Sequence, residues 1–466
     1  MSKQLLTCIY LKSEIKTQNM GTEIMNVENN QASFISALSI RNLFGRFSYE
    51  VPSEQSKGTD LSKIFILYGD NGSGKTTILN ILFHMLSPAH AEGHRTFLAQ
   101  TQFNRFSVTF GNGVEAIIER AEKQLLGSFT FKLKKGKATL SSFQYKADSE
   151  NVIKATENDD ANFLAILQSL QVNIYHLSAE RKFGITVPTK PAEESGNLVF
   201  PYPYVTTGER LVLERAMQQT DSLEVAVNGA VEWFRQRALR GTNVGDANTN
   251  SIYAQIINQI ARTRPSKQAI PQAKIRDAVG TLKTLSKRSE SYSKFGLTSP
   301  LLVNDLLKTI RNCPPGRLSI LLNVLDPFIT SVQAKLNALQ EAQSAINTFI
   351  QQINSFYSFK HINFNLPDGL TVVTDKGASL SVRNLSSGEK QLLLLFCHTI
   401  IARDKNTIIM IDEPEISLNV KWQRRFIPAL LSCAGTNPIQ FFFATHSIEL
   451  LARDKNHVAK LINQEI

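Results

Sequence analysis

The spacing of apolar residues divides the chain into an α/β stretch, a helical stretch and a second α/β stretch. In the first, Ile35–Val51 reads as two strands around Asn42-Leu43-Phe44-Gly45-Arg46. Ile64–Tyr68 is a continuous apolar run ending at Gly69, the pattern of a strand buried on both faces. Thr76–Met85 then carries Ile78, Leu79, Leu82 and Phe83 at helical spacing. Phe106–Phe110 and Val114–Ile118 flank Gly111-Asn112-Gly113 and predict a hairpin. A second hairpin is expected through Ser128–Leu133 and Ala138–Phe143, and a further buried strand at Val172–Leu177.

Between Lys182 and Phe359 the period changes. Leu198–Thr207, rich in Pro and Tyr, reads as a connector. Helices are expected at Arg210–Arg240, Ile252–Ala261, Ala273–Leu285, Leu301–Ile310 and Leu318–Tyr357, with a polar break at Gly241–Asn250. No heptad pattern runs far enough for a long coiled coil, so this stretch is expected to form a compact helical lobe. Strand patterns return at His361–Phe364, Leu370–Thr374, Thr407–Ile411 and Gln440–Ala444, with helices at Gly388–Ala402 and Lys421–Leu431. The expected fold class is α/β, a mixed sheet with helices split by a mainly helical insertion. The expected division is a loosely ordered tail over 1–32, an N-terminal half over 33–181, the insertion over 182–358 and a C-terminal half over 359–466.

Composition narrows the class. The 466 residues are 42% hydrophobic and 20% charged, as in ordinary globular proteins. The longest apolar stretch, Leu392–Ala402, is interrupted by His398 and Thr399 and falls far short of the roughly 20 residues that span a bilayer. No signal peptide is recognisable, and a cytoplasmic protein without a membrane partner is expected. Cys8, Cys313, Cys397 and Cys433 are far apart and form no CxxC, which argues against a zinc site or a disulfide framework. The formal net charge of +11 suits nucleic acid or an acidic protein partner.

The chemistry lies in short segments. Gly69-Asp70-Asn71-Gly72-Ser73-Gly74-Lys75-Thr76 fits the Walker A pattern, after a predicted strand and before a predicted helix. Asn71, Gly72, Ser73, Gly74, Lys75, Thr76 and Thr77 are therefore expected to cradle the phosphates of ATP, with Lys75 on the β- and γ-phosphates and Thr76 on Mg²⁺. The apolar run Thr407–Ile411 delivers Asp412 and Glu413, a metal ligand and a carboxylate to polarise the attacking water.

Leu385-Ser386-Ser387-Gly388-Glu389-Lys390-Gln391 resembles the LSGGQ signature of ABC-type ATPases, with Ser387 for the first glycine and Glu389 for the glutamine. That resemblance implies that Ser386, Ser387, Gly388 and Glu389 meet the γ-phosphate bound by a second subunit, so that ATP is closed between two copies arranged head to tail. Glu413-Pro414-Glu415-Ile416-Ser417-Leu418-Asn419 resembles the loop of the RecF, OLD and SMC-like branch, which usually carries histidine where Asn419 stands; Trp422 and Gln423 fit the same branch. Phe443-Ala444-Thr445-His446-Ser447 resembles the switch segment and implies that His446 senses the γ-phosphate. For the sensing glutamine, Gln100 and Gln102 are candidates by type, and Ser178-Ala179-Glu180-Arg181 by position.

Thr77 and Leu385 are 308 positions apart, more than in transporter ATPases. Only 20 residues follow His446, so no Toprim nuclease domain is expected there, and Asp246, Asp277 and Glu290 form no nuclease pattern. The opening Ile40–Arg46, the Glu413–Leu418 loop and the chain length resemble ATPase subunits of bacterial phage-defence operons, those of PARIS systems in particular; Septu and certain retron ATPases share the motifs. The resemblance implies a homo-oligomer of head-to-tail dimers holding a separate Toprim-type nuclease. It further implies release of that nuclease when a phage anti-restriction protein, often an acidic DNA mimic, is sensed. The competing expectation is a RecF-like or SMC-like repair clamp on duplex DNA, with turnover stimulated by DNA and steeply salt-dependent.

Overall fold

The computed structural model describes residues 34–52, 63–87, 93–153, 172–178, 183–186, 222–262, 271–451, 458–461 and 463, with the side chains of 183–186, 222, 244–262, 459 and 460 excepted. The expected 1–32 tail, the 198–207 connector and positions 179–181 lie outside these residues. The chain folds into two units: one of 1–191, 403–416 and 436–466, the other of 192–402 and 417–435.

The first unit carries two six-stranded sheets. One is an antiparallel meander of β1 (Ile35–Leu43), β2 (Phe47–Val51), β4 (Arg105–Phe110), β5 (Val114–Glu119), β6 (Phe129–Lys135) and β7 (Ala138–Tyr145), in the order β2-β1-β4-β5-β6-β7. The other runs β15-β3-β14-β13-β8-β9, with β3 (Ile64–Tyr68), β8 (Asn173–Leu177), β9 (Phe183–Thr186), β13 (Thr407–Asp412), β14 (Ile439–Thr445) and β15 (Val458–Lys460). β3, β14, β13 and β8 are parallel neighbours, and every residue of β13 and β14 is buried, which explains the apolar runs Ile408–Ile411 and Phe441–Ala444. Helix α1 (Lys75–Leu86) buries Ile78, Leu79, Ile81, Leu82 and Met85 in the core shared by both sheets. Phe65 and Phe442 stack there with ring centres 4.4 Å apart. Gln440, fully buried in β14, exchanges two hydrogen bonds with the backbone of Ile35 at 2.9 and 2.8 Å, joining the sheets at a position where an apolar side chain would leave two backbone groups unpaired. A short helix, α2 (His94–Gln100), and the strands β9 and β15 add to the elements expected from the sequence.

The second unit is mainly helical: α3 (Ser222–Arg262), α4 (Gln272–Ser293), α5 (Asn304–Asn312), α6 (Pro315–Ala338) and α7 (Gln340–Phe356). It also holds the small sheet β10 (Lys360–Asn365), β11 (Gly369–Thr374) and β12 (Ser379–Leu380). Two expectations are corrected here. The polar break at 241–250 does not exist, because α3 continues through it. Gly241 serves close packing instead: a Cβ there would lie 2.7 Å from the carbonyl oxygen of Ala338. Conversely, the expected helix Leu318–Tyr357 is two helices that meet at buried Leu339 (φ −87°, ψ −6°). The break lets α6 pack on α3 and α4 while α7 covers β10.

The second unit takes in parts of the 359–466 stretch. Helices α8 (Ser387–Ile401) and α9 (Val420–Ala434) belong to the second unit rather than to the Asp412 strand that separates them in sequence. The reason is apolar packing: α8 is buried over most of its length and meets α3, α7 and α9. Phe356 of α7 lies between Phe396 and Trp422 at 6.0 and 5.9 Å. The expected α/β class with a helical insertion is borne out.

Candidate functional site

Parallel register assembles the first cluster. Asp412 pairs with Ala444, Ala444 with Leu67, and Thr445 with Tyr68. The carboxyl ends of β3, β14 and β13 therefore lie level, the place where open parallel sheets collect ligand-binding groups. From β3 the chain enters the glycine loop, where Gly72 and Gly74 take φ of 83° and 87°, open to glycine and strained for other residues. A Cβ on Gly74 would also approach Leu43 to 2.5 Å. The hydroxyl of Tyr49 donates to the carbonyl of Ser73 at 2.9 Å and steadies the loop from the antiparallel sheet.

Lys75 is buried, and its ammonium donates to the carbonyl oxygens of Gly69 at 2.7 Å and Asp70 at 2.8 Å. Desolvation pulls its pKa down, against the pull of Glu413, Asp412, Glu415 and Asp70. The Thr76 hydroxyl donates to Asp412 Oδ1 at 3.1 Å. Asp412 is 2% exposed, and its Oδ2 is buried with no hydrogen-bond partner among the described residues. Burial is the main reason that its pKa rises to about 6, with Glu413 and Glu415 adding to the effect and the Thr76 hydroxyl opposing it. A hydroxyl and an unsatisfied carboxylate oxygen side by side are a donor set that suits a divalent cation with retained waters. Asn71, Gly72 and Thr76 are exposed around this point, with Ser73, Gly74 and Thr77 partly so.

At Glu413 the chain leaves β13 with φ 46°, held by its amide on the carbonyl of Ala444 at 2.9 Å. Such a conformation in a non-glycine residue is a common mark of functional turns. Glu415 turns back under β14. Its Oε1 accepts from the Thr445 hydroxyl at 2.7 Å and the His446 amide at 3.0 Å, and lies 3.2 Å from His446 Nδ1. Glu413 is 3.7 Å from the same nitrogen. Nothing in the sequence assigns Glu415 a role; its only signal is an acidic residue two positions after Glu413.

The second cluster lies in the other unit. Ser386 caps α8 and forms a capping box with Glu389. The Ser386 amide and hydroxyl both donate to Glu389 Oε2 at 2.8 Å. Lys360 of β10 donates to both oxygens of Glu389 at 3.0 Å. Burial pushes the Glu389 pKa upward, but these Ser386 and Lys360 contacts outweigh it and hold the group below its ordinary value. Gly388 is obligatory, since a Cβ there would lie 2.5 Å from the Ser417 carbonyl oxygen. Ser386 and Ser387 are exposed, Gly388 and Glu389 buried. Asn419, at the position where histidine was the family expectation, caps α9 by accepting from the Trp422 amide at 3.0 Å.

Of the candidate glutamines, Gln100 donates weakly to the carbonyl of Glu150 at 3.4 Å. Gln102 contributes its carbonyl, which accepts from the Phe44 amide at 2.9 Å. Among the described residues no group of three or more His, Cys, Asp or Glu could hold a metal ion, and no helix is long and apolar enough to cross a membrane.

Two family models match the chain. Residues 44–197 match an AAA domain, and residues 287–452 match the model described as AAA domain, putative AbiEii toxin, Type IV TA system. No curated protein matches. Among solved structures, the chain is similar to the Smc head domain with an extended coiled coil bound to the C-terminal domain of ScpA from Pyrococcus furiosus. That similarity has 12% identity and a TM-score of 0.37, over 92% of this chain and 96% of that one. It is also similar to an Smc head domain with a coiled coil and joint from Pyrococcus yayanosii, at 12% identity and a TM-score of 0.36, over 93% and 97%. One domain match covers the glycine loop; the other begins within α4 and takes in the rest of the helical stretch, the signature, Asp412 and His446, and the two matched domains together support nucleotide binding and ATP hydrolysis in general.

Proposed function

We propose that this chain binds and hydrolyses ATP with Mg²⁺ between two copies of itself, and that it acts as the sensor and scaffold of an anti-phage complex. The observation that carries the ATPase chemistry is the pairing of the Thr76 hydroxyl with Asp412, whose second oxygen is buried and unsatisfied beside the Lys75 ammonium. In this reading Thr76 and Asp412 hold the metal, which supplies charge neutralisation on the phosphates. Lys75 exchanges the carbonyls of Gly69 and Asp70 for phosphate oxygens. Glu413 orients and deprotonates the attacking water, and His446 faces the γ-phosphate. The loop from Asn71 to Thr77 wraps the phosphates with backbone amides. Ser386, Ser387, Gly388 and Glu389 of a second copy close the site.

The scaffold role rests on the resemblance to phage-defence ATPases and on the net charge of +11. It holds a separate Toprim-type nuclease and releases it when an acidic phage protein is sensed. The test is to isolate the Glu413→Gln chain from its native host at moderate salt and identify what accompanies it by mass spectrometry. A stoichiometric nuclease-like protein is the expected result. Duplex DNA with no protein partner would overturn the scaffold role in favour of a repair clamp.

A further inference from the structure

We infer that Glu415 is the positioning residue for His446: it holds the proton on Nδ1 and so presents Nε2 to the nucleotide. This rests on the ATPase reading of the same site and adds to it a residue that reading does not use. Two carboxylates compete for the imidazole, and the distances decide between them. Glu413 Oε1 stands 3.7 Å from Nδ1, beyond hydrogen-bonding range, whereas Glu415 Oε1 stands 3.2 Å away.

The two acids also differ in how firmly they are held. Glu413 is 28% exposed at its side chain and Glu415 only 7%. Glu415 Oε1 is further anchored by the Thr445 hydroxyl and the His446 amide. The Thr445 oxygen in turn accepts from the Ser447 amide at 3.0 Å. One carboxylate oxygen thus accepts from the last residue of β14 and from the backbone of His446, and stands 3.2 Å from the nearer nitrogen of its ring. A carboxylate can only accept from the ring, so the nitrogen facing it carries hydrogen, and the other nitrogen is left for the substrate. The division of labour follows: Glu413 remains free to meet water, and Glu415 orients the histidine.

The test reads the tautomer directly. In the full-length chain labelled with ¹⁵N-histidine and free of nucleotide, the His446 signal, assigned by its loss in His446→Gln, is expected to show the Nδ1–H form above neutral pH. Glu415→Ala is expected to convert it to the Nε2–H form, and Glu415→Gln, which keeps an accepting oxygen, to preserve Nδ1–H. In ATP turnover, Glu415→Ala should lower kcat about tenfold with KM changed less than twofold, and Glu415→Gln should recover most of the loss. An Nε2–H signal in the unsubstituted chain, or the same tautomer in all three proteins, would overturn the assignment. If Glu415→Ala does not fold, the unsubstituted chain and Glu415→Gln still decide. If none of the proteins hydrolyses ATP, the catalytic reading fails while the tautomer measurement stands by itself.

Discussion

Helices α1 and α8 both begin where the sequence places small residues, yet their first turns are built in opposite ways. Gly74 starts α1 with no side-chain cap, so the opening amides of that helix receive no help from within the cap. Ser386 starts α8 with a closed capping box, and the carboxylate in that box is matched by Lys360. The unsatisfied amides of a helix start attract anions. Leaving them open, with Lys75 beside them, suits a loop that must wrap several phosphate oxygens. Closing them with Glu389, and cancelling its charge with Lys360, gives a start that is rigid and less attractive to anions, which fits the single contact proposed for it with a second copy. The two proposed roles, phosphate binding at α1 and a contact between copies at α8, thus correspond to a difference in who satisfies the backbone.

Four perturbations test this contrast, from the largest effect to the smallest. Glu413→Gln is expected to slow hydrolysis by roughly 10²- to 10⁴-fold while ATP affinity is kept, measured by phosphate release alongside equilibrium binding. Normal turnover in this variant would remove Glu413 from the proposed mechanism. Lys75→Ala deletes a charged donor in the open loop and should weaken ATP binding by about 1.5–3 kcal/mol, roughly 10- to 150-fold in Kd. A wild-type Kd would show that the phosphates lie elsewhere.

Acidification comes next. Asp412 must lose its proton to hold a metal, and its pKa stands at about 6. Affinity for Mg²⁺ is therefore expected to fall about tenfold per unit below pH 6 and to be flat above it; titration calorimetry at pH 5 and pH 7 reads the difference. The same group acts on folding with a definite sign. Between about pH 4 and pH 6 the folded chain keeps a proton that the unfolded chain has released, so the contribution of Asp412 to stability without metal declines as pH rises through that window. Asp412→Asn should abolish both dependences.

The smallest effect is expected at Lys360. Lys360→Met leaves Glu389 without its cation and should weaken the ATP-dependent self-association of the Glu413→Gln chain two- to fivefold, in line with about 0.5–1 kcal/mol for a partly exposed pair. Adding Glu389→Gln should restore it, and nucleotide binding by single copies should not change. Equal sedimentation behaviour of all three proteins would break the comparison with which these tests began.

Much of the site was legible before any fold was known. A glycine pattern between a strand and a helix, and an apolar run ending in Asp412 and Glu413, report their chemistry through nearest neighbours, because a buried parallel strand must be apolar and a phosphate loop must admit positive φ. The errors arose where neighbours mislead. Gly241–Asn250 has the composition of a loop but is helix, since Gly241 lets α3 approach Ala338 closely. The apolar spacing of Leu318–Tyr357 runs on without interruption although the chain turns at Leu339, because both helices bury the same kind of face.

The sequence by itself determined where the glycine loop and the Asp412–Glu413 pair stand and in what order most of the strands and helices arise, since those properties depend on spacings of a few residues. Only the tertiary structure decided that Thr76 meets Asp412 across 336 positions, that α8 and α9 join the helical unit, that Lys360 neutralises Glu389, and that Glu415 stands nearer than Glu413 to Nδ1 of His446. These are matters of sheet register and helix packing, and a difference between 3.2 and 3.7 Å, such as that in the distances of Glu415 and Glu413 from His446 Nδ1, has no trace in the order of amino acids.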